Sequence, residues 1–263
     1  MTTPVGGLSF VVPFHADVDR LHRTVERLRE GRERHGIAEV LLCHNGPALP
    51  AEASERLASR LDPTFERVLH VDSPGVGAGY RLVIGNARAE SIVLSASDLP
   101  FGFSDVEAWR EEERRTGRPI PFAIGSKGHP GSRLGTRPLS RRAASLAFLW
   151  MRRAFLGPLT PLDSQGTFLG DRTLFADLAR EAPSDDWVFT LELATAWTRR
   201  SGIRATEVPI TFVDDGSPSS VSLASDGARL LRGLARLRSQ RRARDRAERR
   251  SRGAVAGGGL EGE

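Results

Sequence analysis

The feature that most constrains the fold is a regular alternation of short apolar runs with longer segments of helical periodicity. The first half of the chain holds five apolar runs of strand length: 8–14, 39–43, 67–71, 91–96 and 121–126. Between them lie four segments with helix-like spacing of apolar residues: 17–34, 51–61, 79–89 and 104–116. Strands that alternate with helices form parallel sheets covered by helices. The pattern therefore predicts an α/β fold with a mainly parallel central sheet.

The second half of the chain is less regular. Its predicted elements are a glycine- and arginine-rich loop over 126–138, a helix over 139–156, an extended segment over 162–170, helices over 171–182 and 186–200, and a strand over 204–213. No linker composition separates the two halves, so we expect one continuous domain over residues 1–215.

Composition excludes several classes of protein. The 263 residues are 39% hydrophobic and 27% charged, which is typical of a globular chain rather than a disordered or fibrous one. Cys43 is the single cysteine, so a disulfide framework and a multi-cysteine metal site are both excluded. Any metal site must use oxygen or imidazole ligands.

The sequence gives no signal for a membrane-spanning helix. No window approaches the roughly eighteen uncharged apolar residues that a spanning helix needs. The first fourteen residues, MTTPVGGLSFVVPF, lack a basic region before their short apolar run. We therefore expect the protein in the cytoplasm, on or off the inner face of a membrane.

The positive charge is concentrated near the carboxyl terminus. The net charge is +5, and residues 229–252 hold eleven arginines against two acidic residues. Leucines at helical spacing within that stretch predict a basic amphipathic helix in 216–252, followed by a disordered tail over 253–263. Such a helix could lie on anionic lipid, bind another anionic partner or be a solvated terminal helix. Because Lys127 is the only lysine, the arginine content indicates codon usage, and no nucleic acid is expected.

Polar or glycine-rich loops follow four consecutive predicted strands. Parallel sheets bind ligands at the carboxyl ends of their strands. The loops begin PFHAD at 13, HNG at 44, SPGVGAG at 73 and SASDLPFG at 95. The GVGAG stretch is not a dinucleotide fingerprint, because its spacing differs from G-x-G-x-x-G and it follows the third strand rather than the first.

The order of these motifs resembles the family-2 glycosyltransferases of GT-A fold. The segments that carry the resemblance are FVVPFHADVDRL, EVLLCHNGP, SPGVGAGYRLVIGNA, IVLSASDLPFG, IGSKGHPGSR, LDSQGTF, WVFTLELA and ATEVPITFV. They are most similar to the dolichyl-phosphate (polyprenyl-phosphate) mannose and glucose synthases. The resemblance implies a nucleotide-sugar-binding half over 1–126 and an acceptor-binding half over 127–215.

The resemblance assigns a nucleotide site to the first strand ends. Asp17 would contact ribose or base, with Pro13 and Phe14 as the pocket wall, and Asn45 would recognise the base. The remaining residues assigned to this site are Gly75, Gly77 and Ser97. His15 and His44 replace the tyrosine and aspartate usual in the family, which leaves the base open. Glycines at 75 and 77 would allow close approach of phosphate or sugar, or would only form a tight connection.

The resemblance also implies a divalent cation, Mg²⁺ or Mn²⁺. Asp98 matches the second carboxylate of the family's Asp-x-Asp motif, and Ala96 stands where the first would be. A hard cation with oxygen ligands neutralises the charge that develops on the leaving diphosphate. One carboxylate can hold a cation when the diphosphate supplies further oxygens.

Basic and polar residues of the second half would hold phosphates and the acceptor. Lys127, Arg133 and Arg137 occupy the loop that binds phosphate in the resembling enzymes. Asp163 and Gln165 match the family's Asp-Thr-Gln near the sugar and acceptor, and Glu192 is a further retained acid. Thr190 replaces the usual aspartate, a loss that matters less for a phosphate acceptor than for an alcohol that needs a general base.

These residues predict an inverting glycosyltransferase that uses UDP-glucose or GDP-mannose, with Asp98, Asp163, Gln165 and Lys127 as the catalytic set. The favoured acceptor is a polyprenyl phosphate, reached through the helix over 139–156. Either its apolar face would dip into lipid while its arginines meet headgroups, or it is an ordinary helix facing the core. The arginines in question are Arg141, Arg142, Arg152 and Arg153. Residues 229–252 would add a second membrane contact. The alternatives are a soluble acceptor on the same fold and a nucleotide-sugar-binding protein without turnover.

Overall fold

The structure is a computed structural model that describes residues 5–135, 139–212, 231–239 and 243. It contains one seven-stranded sheet with the strands β1 Val5–Phe14, β2 Ile37–Asn45, β3 Glu66–Val71, β4 Ala89–Leu94, β5 Phe122–Gly125, β6 Thr167–Asp171 and β7 Thr206–Val208. The strand order is β3-β2-β1-β4-β6-β5-β7. Every neighbouring pair is parallel except the two pairs that include β6. The prediction of an α/β fold with a mainly parallel sheet is confirmed.

Helices cover both faces of the sheet. They are α1 Val18–Glu30, α2 Arg32–His35, α3 Ala51–Ala58, α4 Val76–Asn86, α5 Ser104–Thr116, α6 Leu139–Leu156, α7 Arg172–Ala179 and α8 Val188–Ser201. Apolar residues of α1, α3 and α5 form one core with the sheet, and those of α4, α7 and α8 form a second core on the opposite face. Burying one valine, leucine, isoleucine or phenylalanine side chain contributes about 1.5–3 kcal/mol. Because both cores contain many such side chains, they hold the sheet, and with it the edge that carries the loops, in a fixed position.

Local sequence signals explain where several helices begin. The Asp17 carboxylate accepts a hydrogen bond from the Arg20 amide at 2.9 Å, and the Asp171 carboxylate accepts one from the Leu174 amide at 2.7 Å. Both aspartates occupy the cap position of their helices, α1 and α7. A carboxylate there satisfies an amide that has no partner within the helix, which contributes about 0.5–2 kcal/mol.

The predicted element bounds agree closely with the structure except at β6 and β7; the strand predicted over 204–213 is observed only as Thr206–Val208. The ranges predicted for α5 and α6, 104–116 and 139–156, are the ranges observed. The extended segment predicted over 162–170 is a strand only from Thr167 to Asp171, and it runs antiparallel between β4 and β5. Because β6 is reversed, the residues just before it lie at the carboxyl edge of the parallel strands. This insertion brings 163–166 to the same edge as the other loops.

The described part of the predicted carboxyl-terminal helix packs on the domain. Residues 231–239 are helical, and Leu234 and Leu237 are buried against Val188 and Leu191 of α8. The leucine face of this segment therefore contacts protein in the structure. The rest of 216–252, and the tail over 253–263, lie outside the described residues apart from residue 243. None of the described helices combines the length and the hydropathy needed to cross a membrane.

Candidate active site

The loop after β4, residues 95–102, presents Asp98 on a fixed backbone. The Thr24 hydroxyl of α1 donates to the Ser97 carbonyl at 2.7 Å, and the Arg27 guanidinium donates to the Asp98 carbonyl at 3.3 Å. Leu99 is buried with φ at 47°, a left-handed conformation that costs a non-glycine residue about 1–3 kcal/mol. The Asp98 carboxylate makes no hydrogen bond or ion pair with any described residue. The loop thus stores strain beside an unpartnered, half-exposed acid.

Asp98 fits a divalent cation as a single protein ligand. Its carboxylate offers the hard oxygen that Mg²⁺ and Mn²⁺ prefer, and no described residue competes for it. Within residues 5–135, 139–212 and 231–239, no group of three or more histidine, cysteine or acidic residues could hold a metal ion. The described protein alone therefore offers no cage, and a bound diphosphate would have to supply most of the ligands.

Lys127 faces the Asp98 loop from the other half of the domain. Its Nζ lies 5.9 Å from the ring centroid of Phe101, three residues after Asp98, and 3.9 Å from Asp163 Oδ2. The Lys127 side chain is 29% exposed, so its ammonium reaches solvent at the carboxyl edge of the sheet. An anion bound there would meet a cation fixed between an aromatic ring and a carboxylate.

Asp163 positions the Lys127 loop through its own carboxylate. Asp163 Oδ2 accepts from the Lys127 amide at 3.0 Å, and Oδ1 accepts from the Gln165 amide at 2.9 Å. The Asp163 residue is 8% exposed. With both oxygens engaged by backbone amides, this carboxylate orients two loops and is poorly placed to take a proton from an acceptor. Gln165 is exposed in the same turn, and its side chain contacts no described hydrogen-bonding group.

Glu207 of β7 is a site residue that sequence reasoning missed. Its two carboxylate oxygens accept from the Leu162 and Asp163 amides, at 3.0 and 3.1 Å. Glu207 therefore holds the segment that carries Asp163. The signal available in the sequence was a single acid, Glu207, within the predicted strand segment ATEVPITFV.

Three histidines stack at the ends of the first three strands. The His44 ring lies 4.8 Å from the His70 ring and 6.4 Å from the His15 ring, centroid to centroid, with nearly parallel planes. His15 Nδ1 donates to the Asn45 carbonyl at 2.7 Å, and His70 Nε2 donates to the Gly46 carbonyl at 2.8 Å. Both assignments follow because a carbonyl can only accept.

His44 is the buried middle ring of this stack. It is 3% exposed, and its Nε2 has no hydrogen-bond partner among the described residues. Burial lowers the pKa of His44, and the neighbouring His70 and His15 lower it further, against a bond involving the His15 backbone that raises it. His44 is therefore held neutral near physiological pH. The stack fixes the turn after β2, where the sequence predicts base recognition by Asn45.

The glycine turn before α4 packs against protein. A Cβ on Gly75 would lie 2.2 Å from the Asp185 carbonyl oxygen, and one on Gly77 would lie 2.5 Å from the Ser184 carbonyl oxygen. The amides of Gly77 and Ala78 donate to the Asp185 carbonyl at 2.7 and 3.1 Å. The backbone approach that the sequence assigned to a phosphate or sugar is therefore made by the segment 184–186. The other reading of the sequence, a tight connection, describes what these glycines do.

The remaining predicted nucleotide residues lie along the first strand end. Pro13 and Phe14 are buried, and the Phe14 ring packs 5.1 Å from His44, centroid to centroid. Asp17 caps α1 through Oδ1, its Oδ2 lies 3.6 Å from Arg20 Nε, and its side chain is 61% exposed, so a ligand could still approach the carboxylate from solvent. Ser97 contributes its carbonyl to the bond from Thr24. Their contacts with a nucleotide stay predictions.

The predicted phosphate residues separate into exposed and buried positions. Arg133 is exposed, and its backbone bridges to Ile210 and Phe212 beside β7, which fixes the loop that carries it. Glu192 is 3% exposed and accepts from the Ser184 amide and hydroxyl at 2.8 and 2.7 Å. Burial raises the pKa of Glu192, an effect opposed by those bonds. Glu192 therefore holds the 184–186 segment. Arg137 lies outside the described residues.

Asp105 is a further buried acid at this edge that the sequence did not single out. It lies in the first turn of α5, is 2% exposed, and accepts from the Val106 amide at 2.8 Å. Burial raises its pKa to about 6, an effect partly opposed by a hydrogen bond from the Thr167 side chain. Its contact with Thr167 ties α5 to the start of β6.

Helix α6 corrects the prediction for one of its arginines, Arg152, which does not face lipid headgroups. Arg152 is 2% exposed, with its guanidinium 4.6 Å from the Phe148 ring centroid. The apolar residues Phe148, Met151 and Phe155 pack against α8 and the 231–239 segment instead of lipid. Among the described side chains of α6, the large apolar ones that are exposed are Leu146 and Trp150, at 58% and 67%, one turn apart. The arginine turns inward because carboxylates and a carbonyl lie beneath it.

Solved structures of glucosyl-3-phosphoglycerate synthase from Mycobacterium tuberculosis share the fold. Its complex with Mn²⁺, UDP and phosphoglyceric acid gives a TM-score of 0.62 at 16% identity, over 89% of this chain and 78% of that chain. Its complex with Mn²⁺, UDP-glucose and glycerol 3-phosphate gives a TM-score of 0.61 at 15% identity, over 89% and 79%. No family model matches this chain, and no curated protein sequence matches it.

The likeness defines the class of fold to which this domain is similar, that of GT-A glycosyltransferases. The GT-A expectation drawn from the motifs is confirmed at the level of fold. The narrower resemblance to polyprenyl-phosphate sugar synthases is not supported by these structures. They are of glucosyl-3-phosphoglycerate synthase, and they were solved with phosphoglyceric acid or glycerol 3-phosphate.

Proposed function

We propose that this chain is a glycosyltransferase that moves a sugar from a nucleoside diphosphate sugar to a soluble acceptor bearing a phosphate group. The observation that carries the proposal is the unpartnered Asp98 carboxylate on its strained, α1-braced loop, whose Phe101 ring lies beside the Lys127 ammonium at the carboxyl edge of the sheet. Structures of similar fold were solved with UDP-glucose, Mn²⁺ and phosphorylated acceptors, which supports the same substrate classes here.

Asp98 would hold Mg²⁺ or Mn²⁺ together with the donor diphosphate. The cation supplies charge neutralisation when the bond between the sugar and the diphosphate breaks. The chain's own part is to fix the carboxylate: Thr24 and Arg27 hold the loop carbonyls, so Asp98 needs little reorganisation when the donor binds. Asp17 and Asn45 lie at the neighbouring strand ends, where the nucleoside would extend.

Lys127 and Arg133 would hold the acceptor phosphate. Lys127 acts as a compact point charge, and Arg133 offers a planar fork of donors from an exposed position in the same loop. A hydroxyl oxygen of the acceptor would then attack the anomeric carbon, the bond from that carbon to the diphosphate would break, and the hydroxyl proton would pass to the leaving nucleoside diphosphate or to water. The motif resemblance predicts inversion at that carbon, and the anomeric coupling constant of the product, measured by NMR, tests it.

Transfer assays test the proposal directly. Purified protein is incubated with UDP-glucose or GDP-mannose, Mn²⁺ and either phosphoglyceric acid or glycerol 3-phosphate, and the products are identified by mass spectrometry. Asp98→Asn should abolish transfer. Glu90→Gln, at an exposed position near the start of β4, the strand that precedes the Asp98 loop, should leave transfer unchanged. Nucleotide binding without transfer to any acceptor would favour the binding protein without turnover. A transfer rate that is the same with and without metal, and the same in Asp98→Asn as in the wild type, would refute the mechanism.

A second candidate function is transfer to a polyprenyl phosphate at a membrane surface. The exposed Leu146 and Trp150 on α6 favour it, since large apolar residues at one helical turn suit an interface. Flotation with vesicles containing anionic lipid tests it on the full chain. The double substitution Leu146→Ser with Trp150→Ser should release the protein if α6 binds the membrane. Flotation that persists in this variant would move membrane contact to the basic segment 229–252.

A further inference from the structure

A network of three charged side chains, of which Arg152 and Asp163 are buried and Glu207 is half-buried, joins four separate segments, including the one that carries Lys127. Arg152 of α6 donates through Nη2 to the Leu162 carbonyl at 2.7 Å. Glu207 of β7 accepts from the amides of Leu162 and Asp163, and Asp163 accepts from the amide of Lys127. These bonds run in series from the helix to the lysine. The Lys127 loop is therefore braced by residues distant from it in sequence.

Arg152 is the unusual member of this network. It is 2% exposed, and its Nε and Nη1 have no hydrogen-bond partner among the described residues. Asp163 and Glu207 both interact with it electrostatically, which opposes the lowering of the Arg152 pKa by burial. An incompletely paired buried charge is expensive for folding stability, so this arginine is a poor device for stability alone. Its hydrogen bond to the Leu162 carbonyl instead ties α6 to the segment that carries Asp163.

We propose that Arg152 and Glu207 are positioning residues for Lys127, acting through Asp163. Arg152 attracts both carboxylates and holds the Leu162 carbonyl, Glu207 clamps two successive amides, and Asp163 then fixes the Lys127 backbone. The Lys127 Nζ lies 3.9 Å from the Asp163 oxygen that also accepts from its own amide. One carboxylate thus sets both ends of the lysine. The role of Lys127 toward an acceptor phosphate rests on the proposed function, but the positioning itself does not.

The composition of the chain allows this positioning to be measured at one atom. Lys127 is the only lysine and Tyr80 the only tyrosine. Labelling with ¹⁵N-lysine and ¹⁵N-tyrosine therefore gives one backbone amide signal for each residue. The exchange rate of the Lys127 amide reports its bond to Asp163, and that of Tyr80, inside α4, reports overall stability.

Amide exchange is measured on Arg152→Met, Glu207→Gln and the control Arg153→Met, the next residue on α6. In the first two variants we expect the Lys127 amide to exchange at least about tenfold faster, while the exchange rate of the Tyr80 amide stays unchanged. The reason is that the Asp163 carboxylate, no longer held in place, releases its hydrogen bond to the Lys127 amide more often. Arg153→Met should change neither rate, and Arg152→Lys should restore part of the Lys127 protection. An equal acceleration at Tyr80, or a Lys127 rate unchanged in Glu207→Gln, would overturn the proposal.

Kinetics on the same variants separate this proposal from the proposed function. Where transfer is observed, Arg152→Met and Glu207→Gln should raise the KM for the phosphorylated acceptor several-fold and leave the KM for the donor unchanged, because Lys127 alone is displaced. Where no transfer is observed, the exchange measurement still decides the positioning role. Should Arg152→Met fail to fold, Glu207→Gln provides the decisive variant, because it keeps the size of the side chain and one acceptor oxygen.

Discussion

Asp105 gives a quantitative test of the packing beneath the candidate site. Its carboxyl group is buried between the first turn of α5 and the start of β6, where its pKa rises from 3.8 to about 6. Burial is the main cause, because the low-polarity surroundings disfavour the charged form. The folded protein therefore holds a proton on Asp105 over a pH range in which the unfolded chain has already lost it.

The sign and size of the effect follow from proton linkage. For a carboxyl whose pKa is raised on folding, the stabilisation is fully present below about pH 4 and is lost as the pH rises through about 6. A pKa difference of about two units corresponds to about 3 kcal/mol in the free energy of unfolding. Since Asp105 is almost fully buried, solvent screening reduces this little. Asp105→Asn keeps an oxygen for the Val106 amide and removes the titration.

The measurement is the free energy of urea unfolding of wild type and Asp105→Asn between about pH 4 and about pH 8. We expect the difference, wild type minus variant, to rise by about 2–3 kcal/mol as the pH is lowered across this range. A constant difference for Asp105→Asn would refute the reasoning, because it would mean that Asp105 is not buried as described.

Three further predictions concern the site. Asp98→Asn should weaken UDP binding in the presence of Mn²⁺ by about tenfold or more, measured by calorimetry, and leave metal-free binding unchanged; equal affinities with metal would exclude Asp98 as its ligand. Gly77→Ala should lower the free energy of unfolding by about 1–3 kcal/mol, since its Cβ would meet two carbonyls, while Gly85→Ala, with open space around it in α4, should raise it by up to about 1 kcal/mol. Because burial lowers the pKa of His44, the wild-type protein should lose stability as the pH falls below about 6.5, and His44→Phe should lose less. The measurement is the melting temperature of both proteins at about pH 7.5 and about pH 5.5. An equal drop in melting temperature for the two proteins would contradict this.

The periodic pattern of the chain was sufficient for the elements and the general site. The strand-length runs and helical spacings predicted α5 and α6 at their observed bounds, because burial of one face is written into the spacing of apolar residues. Placement of Asp98 and Lys127 at one sheet edge also followed, since parallel strands all end on the same side. The direction of β6 did not follow, because a short apolar run has the same pattern in either direction.

Several residue roles depended on contacts between distant segments. Gly75 and Gly77 have the sequence appearance of a phosphate-binding turn, yet the space beside them is filled by the Asp185 and Ser184 carbonyls, about a hundred residues later. Glu207 gave only the weak signal of one acid in an apolar strand, and its bonds to the Leu162 and Asp163 amides exist only in the folded sheet.

The layered α/β architecture and the edge at which a ligand would bind follow from the amino-acid sequence, because both depend on local periodicity and on the shared direction of parallel strands. The inward position of Arg152, with Leu146 and Trp150 on the outer face of α6, does not follow from it and is seen only in the folded domain. Helical spacing gives the angle between side chains around the axis and contains no information on which side meets the protein. The side that meets the protein is set by the Leu162 carbonyl, which accepts from Arg152, and by the apolar contacts of Phe148 and Phe155, all of which exist only once the chain has folded.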